Sequence, residues 1–291
     1  MTIMNTTNLA EVFTLSVASE MEPQEITFDV LLEKYAKGNE RTHADIRARV
    51  ASGLACVESE GLRDSLSISF AEALDKGFVP AGRIQSAVGT DIQATLINCF
   101  VQPVGDSVSE FKNGKPGIYT AVAEAAETMR RGGGVGYDFS HIRPAGSMVK
   151  GTHSKASGPV SFMNVFDSSC ATVESAGARR GAQMGVLRCD HPDIETFVRA
   201  KDKGDLTNFN ISIGVTDEFM RAVTAGENFE LVHRAEPGKD LLANGAYQRA
   251  DGKWVYRTIA ATDLWEKVMH STYDHAEPGI LFIDRMNQEN N

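Results

Sequence analysis

Thiols are scarce in this chain: Cys56, Cys99, Cys170 and Cys189 are its only four cysteines, and none belongs to a C-x-x-C pair. Neither a thiolate zinc site nor a disulfide scaffold is expected, and a reducing, cytoplasmic compartment fits best. No lysine or arginine precedes Lys34, and long apolar runs are missing, which argues against a secretory signal and a membrane-spanning helix. Cations are outnumbered, with a formal charge of -10 and a pI near 5.2. That balance speaks against a general surface for nucleic-acid polymers or anionic membranes, which need clustered Lys and Arg. Any nucleotide bound here should be small and locally held. G-x-x-x-x-G-K-[ST] is missing, Gly132-Gly-Gly-Val-Gly-Tyr-Asp138 does not satisfy G-x-G-x-x-G, and neither H-E-x-x-H nor G-x-S-x-G occurs. Walker, Rossmann, zincin and nucleophile-elbow sites are therefore unsupported.

What remains is an ordinary globular composition, 42% hydrophobic and 23% charged over 291 residues, enough to build a core. Residues 1–25 are polar and weakly patterned and read as a flexible lead-in. From Asp29 to Asp75 the apolar spacing is helical: Leu31, Leu32 and Tyr35, then Ile46, Val50, Leu54 and Val57, then Leu66, Phe70 and Leu74. This helical region extends over 26–94. Pro80-Ala-Gly-Arg-Ile-Gln-Ser86 breaks the pattern, with Gly82 either passing a ligand closely or simply turning the chain.

From Thr95 onward strands alternate with helices, which predicts an α/β architecture with largely parallel strands. Leu96, Ile97, Phe100 and Val101 read as a short buried strand ended by Pro103 and Gly105. Ile118, Val122, Ala125, Ala126 and Met129 form a helical face stopped at Gly132, with Arg130 and Arg131 placed to cap its end. Strands follow at Val135–Phe139 and Met184–Leu187, and a helix opens at Pro159. Asp190 is expected to cap a helix with Pro192 at its start, and His191 reads as a helix-entry residue rather than a metal ligand. Asn208–Val215 alternates as a strand with Asn208, Asn210 and Ser212 on one side, suggesting a polar cavity. Thr216 should cap the next helix. Phe229–Tyr256 reads as a polar excursion, before a helix through Trp265, Val268, Met269 and Thr272 and a closing strand, Gly279–Ile283.

Three loops draw attention. The first pairs Cys99, on rigid structure, with Asp106 in the loop beyond it. The second, Ser140–Gly158, holds His141, Arg143, Lys150, His153 and Lys155. It reads either as a solvated basic loop or, preferably, as a phosphate-binding loop in which Arg143 and Lys150 neutralise a polyphosphate. The third, Ser175–Val186, is made of small residues with Arg179, Arg180 and Gln183, and can change shape at low steric cost. Cys170 and Cys189 read as packing residues. Residue chemistry alone stops at an α/β nucleotide-binding protein with a reactive Cys99.

Five motifs go further: Ala81-Gly-Arg-Ile-Gln-Ser-Ala-Val-Gly-Thr90, Leu96-Ile-Asn-Cys-Phe100, Arg131-Gly-Gly-Gly-Val-Gly136, Ala178-Arg-Arg-Gly-Ala-Gln-Met-Gly-Val186 and Gly279-Ile-Leu-Phe-Ile-Asp-Arg-Met-Asn287. Together they resemble the large subunit of ribonucleotide reductases, most closely the adenosylcobalamin-dependent class, from about Pro80 to Asn291. The resemblance implies a helical N-terminal region followed, over 95–291, by the first half of a ten-stranded α/β barrel. It implies that Cys99 is the first redox-active cysteine and that Ser86 and Asn98 contact the ribonucleotide substrate. It further implies that Asp106, Ser107, Arg143 and Lys150 bind a deoxynucleoside triphosphate effector. Lys150 stands where related enzymes often carry Arg. Ala178, Arg179, Arg180, Gly181 and Gln183 would form the second specificity loop. The radical-bearing cysteine, the second redox cysteine and the tail thiols are expected beyond Asn291, so a C-terminal half in cis or in trans is implied. A thioredoxin-like reductant and a homodimer of the complete enzyme are implied as well. No overall-activity module is expected at the N-terminus. Adenosylcobalamin is the expected cofactor, with contacts mostly outside this chain and a metal-radical subunit as the other route. The alternative reading is a non-catalytic nucleotide-binding regulatory module; an unrelated enzyme using Cys99 as an ordinary nucleophile lacks a base placed by sequence.

Overall fold

The helices of the opening region form where the sequence caps and packs them. The computed structural model describes residues 24–175, 179–202 and 204–290, and the chain divides into two units, Met1–Leu96 and Ile97–Asn291. Of the lead-in expected over 1–25, residues 1–23 lie outside the described residues, and Glu25 already opens a helix. That helix, α1 (Glu25–Val30), runs into a π-helical turn (Leu31–Tyr35) and is followed by α2 (His43–Ala55), α3 (Glu60–Asp75) and α4 (Gly82–Ala87). A capping box starts α2: Asp45 N–H donates to Thr42 Oγ1 at 3.2 Å and Thr42 N–H donates back to Asp45 Oδ2 at 2.9 Å, satisfying two otherwise orphaned donors.

The core of this unit is Leu31, Ile46, Val50, Ala51 and Leu74. Leu32 and Val57, expected on the buried face, are 48% and 87% exposed. Leu32 lies in the π-helical turn, and Val57 follows the end of α2, so neither keeps the register of the buried stripe. The expected break at Pro80–Ser86 is largely helix α4, and the close approach at Gly82 is to Tyr35, whose Oη lies 3.1 Å from where a Cβ would sit. Arg49 ties the unit together: it pairs with Glu40 at 2.7 Å and donates to the carbonyls of Val88, Gln85 and Tyr35.

The second unit alternates as expected. It begins with β1 (Cys99–Gln102), α5 (Ile118–Arg130) and β2 (Gly134–Asp138), then a 3₁₀ turn (Phe139–His141) and the short hairpin β3 (Met148–Val149) and β4 (Ser154–Lys155). Next come α6 (Pro159–Thr172), the short pair β5 (Glu174–Ser175) and β6 (Arg179–Arg180), β7 (Gln183–Arg188), α7 (Ile194–Val198), β8 (Phe209–Val215) and α8 (Asp217–Ala225). The chain continues through β9 (Asn228–His233), α9 (Lys239–Ala243), β10 (Tyr247–Gln248), β11 (Trp254–Ala260), α10 (Ala261–His275), β12 (Gly279–Phe282) and α11 (Ile283–Glu289). Five strands form one parallel sheet in the order β1-β2-β7-β8-β12. The α/β class and the helical N-terminal region are thus as expected; among the described residues the sheet is open, with β1 and β12 at its edges.

One face of that sheet is covered. Val135 and Tyr137 of β2, Leu187 of β7 and Phe209, Ile211 and Ile213 of β8 are buried in one cluster with Ala125 and Met129 of α5, Met163 and Phe166 of α6 and Leu264 of α10. The rings of Tyr137 and Phe166 meet edge to face at 4.7 Å. The alternate positions, among them Cys99, Val101, Met184 and Asn210, lie on the opposite face, where Cys99 and Asn210 are exposed and Val101 is 86% exposed.

Several local expectations need correcting. The strand at Leu96–Val101 is not buried: it starts at Cys99, pairs among the described residues only with β2 and leaves Ile97 68% exposed, because an edge strand with one bare face has nothing to bury against. Asp190 does not cap a helix. It accepts from Arg188 Nε and Nη2 at 2.9 Å, and α7 starts behind Asp193. The polar excursion Phe229–Tyr256 is an antiparallel sheet, β10-β11-β9, whose buried Phe229 and Leu231 join the main core while Val232 lines the cleft described below. Arg130 and Arg131 both pair with Glu127, at 2.8 and 2.7 Å, one turn back on α5. Thr216 does cap α8, accepting from Phe219 N–H at 3.1 Å.

Candidate functional site

Two loci lie at opposite ends of the parallel strands. At the amino ends, Asn98 and Cys99 open β1; Asn98 O accepts from Gly134 N–H at 2.7 Å, and Ala182 O accepts from Val135 N–H at 2.9 Å. Cys99 is an exposed free cysteine, and no hydrogen-bonded base accompanies its thiol among the described residues. Cys170 and Cys189 are buried as expected. Burial pushes the Cys170 thiol up and the Cys189 thiol up to about 12, so neither supplies a thiolate near neutrality.

The residues expected in the adaptable loop divide. Ala178 lies outside the described residues, and the backbones of Arg179 and Arg180 pair with Ser175 and Glu174. Gly181 is held by packing, since a Cβ there would sit 2.7 Å from Cys170 Sγ and 2.9 Å from Met129 Sδ. Gln183 is buried and committed: its Oε1 accepts from Tyr137 Oη at 2.8 Å, and its Nε2 donates to Phe166 O at 3.2 Å. Ser86 belongs to α4 in the first unit, its hydroxyl donating to Arg83 O at 3.3 Å.

At the carboxyl ends of β1, β2 and β7 a cleft of about 1420 Å³ opens, walled partly by the antiparallel sheet. Asp106, Ser107, Arg143 and Lys150 all line it, so the chain brings together the four residues singled out as a nucleotide site. Their mutual geometry was not foreseen. Arg143 Nη2 pairs with Asp106 Oδ2 at 2.9 Å, Nε reaches both carboxylate oxygens, and Arg143 N–H donates to Asp106 Oδ1 at 2.9 Å. Nη1 is also taken, by Met148 O. Lys150, largely exposed, lies 3.6 Å from Glu236, and Lys155 is paired with Asp240.

A buried brace fixes this turn. His191 Nε2–H donates to Ile142 O at 3.0 Å, while its Nδ1 accepts from Asp193 N–H at 3.1 Å. These partners set a neutral imidazole in one tautomer, and burial pushes its pKa down. Asp193 Oδ2 accepts from Ala145 N–H at 2.8 Å, so Arg143 lies between two anchored neighbours. His233 lies edge to face with His191, ring centroids 5.4 Å apart. Burial, and then repulsion from any proton on His191, push its pKa down to about 3. Sequence reading took His191 for a helix-entry residue and passed over His233; no local spacing joins them, because the contact forms only when β9 packs beside the turn after β7.

The described residues contain no group of three or more metal-ligating side chains and no helix long and apolar enough to cross a membrane. Fold and site together define a parallel α/β domain with an exposed thiol on a bare sheet face and an ion-paired, cation-lined cleft beyond its strands. Residues 97–291 match the family described as the ribonucleotide reductase barrel domain. The chain is 35% identical over 287 residues to a vitamin B12-dependent ribonucleoside-diphosphate reductase of Mycobacterium tuberculosis, covering 95% of this chain and 38% of that protein. It is 35% identical to one of Thermoplasma acidophilum, over 73% of this chain and 25% of that protein. Against the ribonucleoside-diphosphate reductase subunit alpha of Helicobacter pylori it is 25% identical, over 80% of this chain and 30% of the relative. The chain belongs to the ribonucleotide reductase family, and it spans well under half the length of these relatives.

Proposed function

We propose that this chain supplies the first half of the catalytic barrel of a ribonucleotide reductase. With a C-terminal half, in cis or in trans, it reduces ribonucleotides to 2′-deoxyribonucleotides by a thiyl-radical mechanism in the cytoplasm. The observation that carries the reading is Cys99, an exposed thiol at the head of the edge strand of a five-stranded parallel sheet in a chain of this family. In this reading Cys99 is one of two thiols that deliver two electrons. The ribose C2′–O bond breaks, the oxygen leaves as water, C2′ gains a hydrogen, and the two thiols become a disulfide that a thioredoxin-like reductant reopens.

Asn98 and Ser86 serve the substrate, and Asp106, Ser107, Arg143 and Lys150 serve a deoxynucleoside triphosphate effector. The segment Ala178–Gln183 links the two, and the complete enzyme acts as a homodimer. The names of the M. tuberculosis and T. acidophilum relatives support adenosylcobalamin as cofactor. Most contacts to that cofactor are expected outside this chain; here, the face carrying Cys99 lacks side chains at Gly134 and Gly136, where a Cβ would meet nothing nearer than 3.5 and 4.0 Å. When bound, that cofactor supplies the one-electron chemistry that turns a protein thiol into a thiyl radical.

The test mixes this chain with the C-terminal half and assays ribonucleotide reduction with dithiol, a deoxynucleotide effector and adenosylcobalamin present or omitted. Cobalamin-dependent turnover is expected, and Cys99→Ser should abolish it while leaving effector binding intact. Normal turnover of that variant with a dithiol reductant refutes the role of Cys99. Turnover only with a metal-radical subunit discards the cofactor, and effector binding without turnover under any complementation favours a regulatory module.

A further inference from the structure

Three dipeptides in this chain join an Asn or Asp side chain to a following glycine: Asn113-Gly114, Asn244-Gly245 and Asp251-Gly252. In such a pair the glycine backbone nitrogen can attack the side-chain carbonyl, because no Cβ obstructs the approach. All six residues are exposed. What separates them is how each glycine N–H is held. Gly245 N–H donates to Leu242 O at 3.1 Å and Gly252 N–H to Arg249 O at 3.0 Å. Asp251 is engaged as well: Oδ1 accepts from Lys253 N–H at 3.1 Å, and Oδ2 lies 3.3 Å from Arg249 Nη2. Gly114 N–H and the Asn113 side-chain amide make no hydrogen bond among the described residues, and a Cβ at Gly114 would meet nothing within 4 Å.

Asn113 and Gly114 form the tip of a tight turn on the wall of the cleft. Both take positive φ, and Lys112 and Lys115 exchange backbone hydrogen bonds of 3.0 Å around them. The chain behind the turn is laced to the loop that carries Asp106 and Ser107: Gly105 N–H donates to Pro116 O at 2.9 Å, Ile118 N–H to Ser107 O at 2.8 Å and Tyr119 N–H to Val108 O at 2.9 Å. Packing leaves no slack there, since a Cβ at Gly105 would sit 2.9 Å from Pro116 O and one at Gly117 2.5 Å from the carbonyl carbon of Ser109.

We infer that Asn113-Gly114 is a site of spontaneous deamidation and isomerisation, and that its modification loosens this wall of the cleft. Gly114 N bonds to Asn113 Cγ, the Cγ–Nδ2 bond breaks, and the amide nitrogen leaves as ammonia with the proton that Gly114 N gives up. Water then opens the cyclic imide, at the side-chain carbonyl to leave aspartate or at the main-chain carbonyl to leave isoaspartate. One water enters, one ammonia leaves, and nothing is oxidised or reduced. Isoaspartate lengthens the backbone by a methylene inside a turn closed by two hydrogen bonds, and sets a carboxylate beside Lys112 and Lys115. The longer chain cannot keep both bonds between those lysines, and the bond from Gly105 to Pro116 is the next to open.

The experiment holds the full chain in mildly alkaline buffer, native and in urea, and follows it by peptide mass spectrometry with fragmentation that separates isoaspartate from aspartate. In the native chain Asn113 should deamidate about fivefold faster than Asn244, the factor that one backbone hydrogen bond on the glycine N–H is worth, and the difference should vanish in urea. Asn113→Gly puts a residue that accepts positive φ at the turn, so the variant should keep the circular dichroism of the wild type and lose the fast mass gain. Aged wild type should exchange the Gly105 and Lys115 amide hydrogens faster than fresh protein, and Asn113→Gly aged for the same time should not. Equal rates at Asn113 and Asn244 in the native chain, or a fast mass gain that persists in Asn113→Gly, overturn the site. Isoaspartate formed at position 113 with unchanged exchange at Gly105 overturns its reach into the cleft wall.

Discussion

Acidification should destabilise the second unit through buried His191 and half-buried His233, and the size of the effect follows from the brace behind Arg143. His233 holds its pKa at about 3 against an ordinary 6.5, because burial and the neighbouring His191 oppose its charged form. The folded state therefore resists a proton that the unfolded state accepts. With the unfolded chain binding one more proton between those values, stability is fully present above pH 6.5 and falls as pH drops, by about 1.4 kcal/mol per pH unit. From pH 6.5 to 5, above the range where depressed carboxylates such as Glu195 begin to protonate, His233 alone should remove about 2 kcal/mol. His191 acts in the same direction, while the buried carboxyl of Asp193 is pushed up and acts in the opposite one, so His233 is the cleaner probe. Both tryptophans, Trp254 and Trp265, belong to Ile97–Asn291, so urea unfolding followed by tryptophan fluorescence reads this unit alone. His233→Asn keeps an acceptor for the Ala235 N–H that now bonds Nδ1 at 2.9 Å, and should flatten the pH slope by one proton. Equal slopes in wild type and variant from pH 7 to 5, or a flat wild type, would show that His233 does not resist its charge.

Other consequences are more local. A thiol reagent on the native chain should modify two cysteines, Cys56 and Cys99, quickly and the buried Cys170 and Cys189 only after unfolding; Cys99→Ser should leave one fast thiol, and four fast thiols would contradict the burial. Gly181→Ala forces a methyl against Cys170 Sγ and Met129 Sδ, an overpacking cost of about 1–3 kcal/mol, visible as a lower tryptophan-monitored midpoint; an unchanged midpoint would mean that the sulfur atoms move aside. Arg49→Met removes the Glu40 pair and three carbonyl hydrogen bonds. It should destabilise the first unit by about 2–4 kcal/mol, read by faster hydrogen exchange at Gln85–Gly89, with unchanged exchange counting against the clamp.

The parallel strands and helices of the second unit were legible because their apolar spacing is regular: Val135, Met184 and Gly279 each fall in or beside the strand expected there. Boundaries failed where chemistry between neighbours outweighed propensity, as when Asp190 met Arg188 instead of capping a helix. The antiparallel sheet was missed because β9 and β11 are separated by charged turns that mask their alternation. At the cleft, residue types pointed to Asp106 and Arg143, but no sequence pattern says that two such groups will pair with each other. Asn113-Gly114 is a strong hairpin signature, and reading it would have brought Lys115 into the discussion from the start.

Cys99 and the cleft share β1, β2 and β7 but sit at opposite ends of them. From Gln183 to Arg188, β7 spans roughly 17 Å at about 3.3 Å per residue, so a nucleotide seated at Asp106, as proposed above, would not reach the thiol. Influence of one locus on the other therefore needs an element with two arrangements, and the strands themselves are poorly suited to that. Gln183 is held by Tyr137 and Phe166, and the rings of Tyr137, Phe139, Phe166 and Phe209 interlock beneath the sheet. Immediately ahead of Gln183 the contacts change character: Gly181 rests on the sulfur atoms of Cys170 and Met129, and methionine is flexible and repacks at low cost. The boundary between rigid and adaptable packing thus falls between Gly181 and Gln183, beside Gly134, which opens β2 and pairs with Cys99; under the effector reading proposed above, that is where a signal from the cleft would become a movement near the thiol.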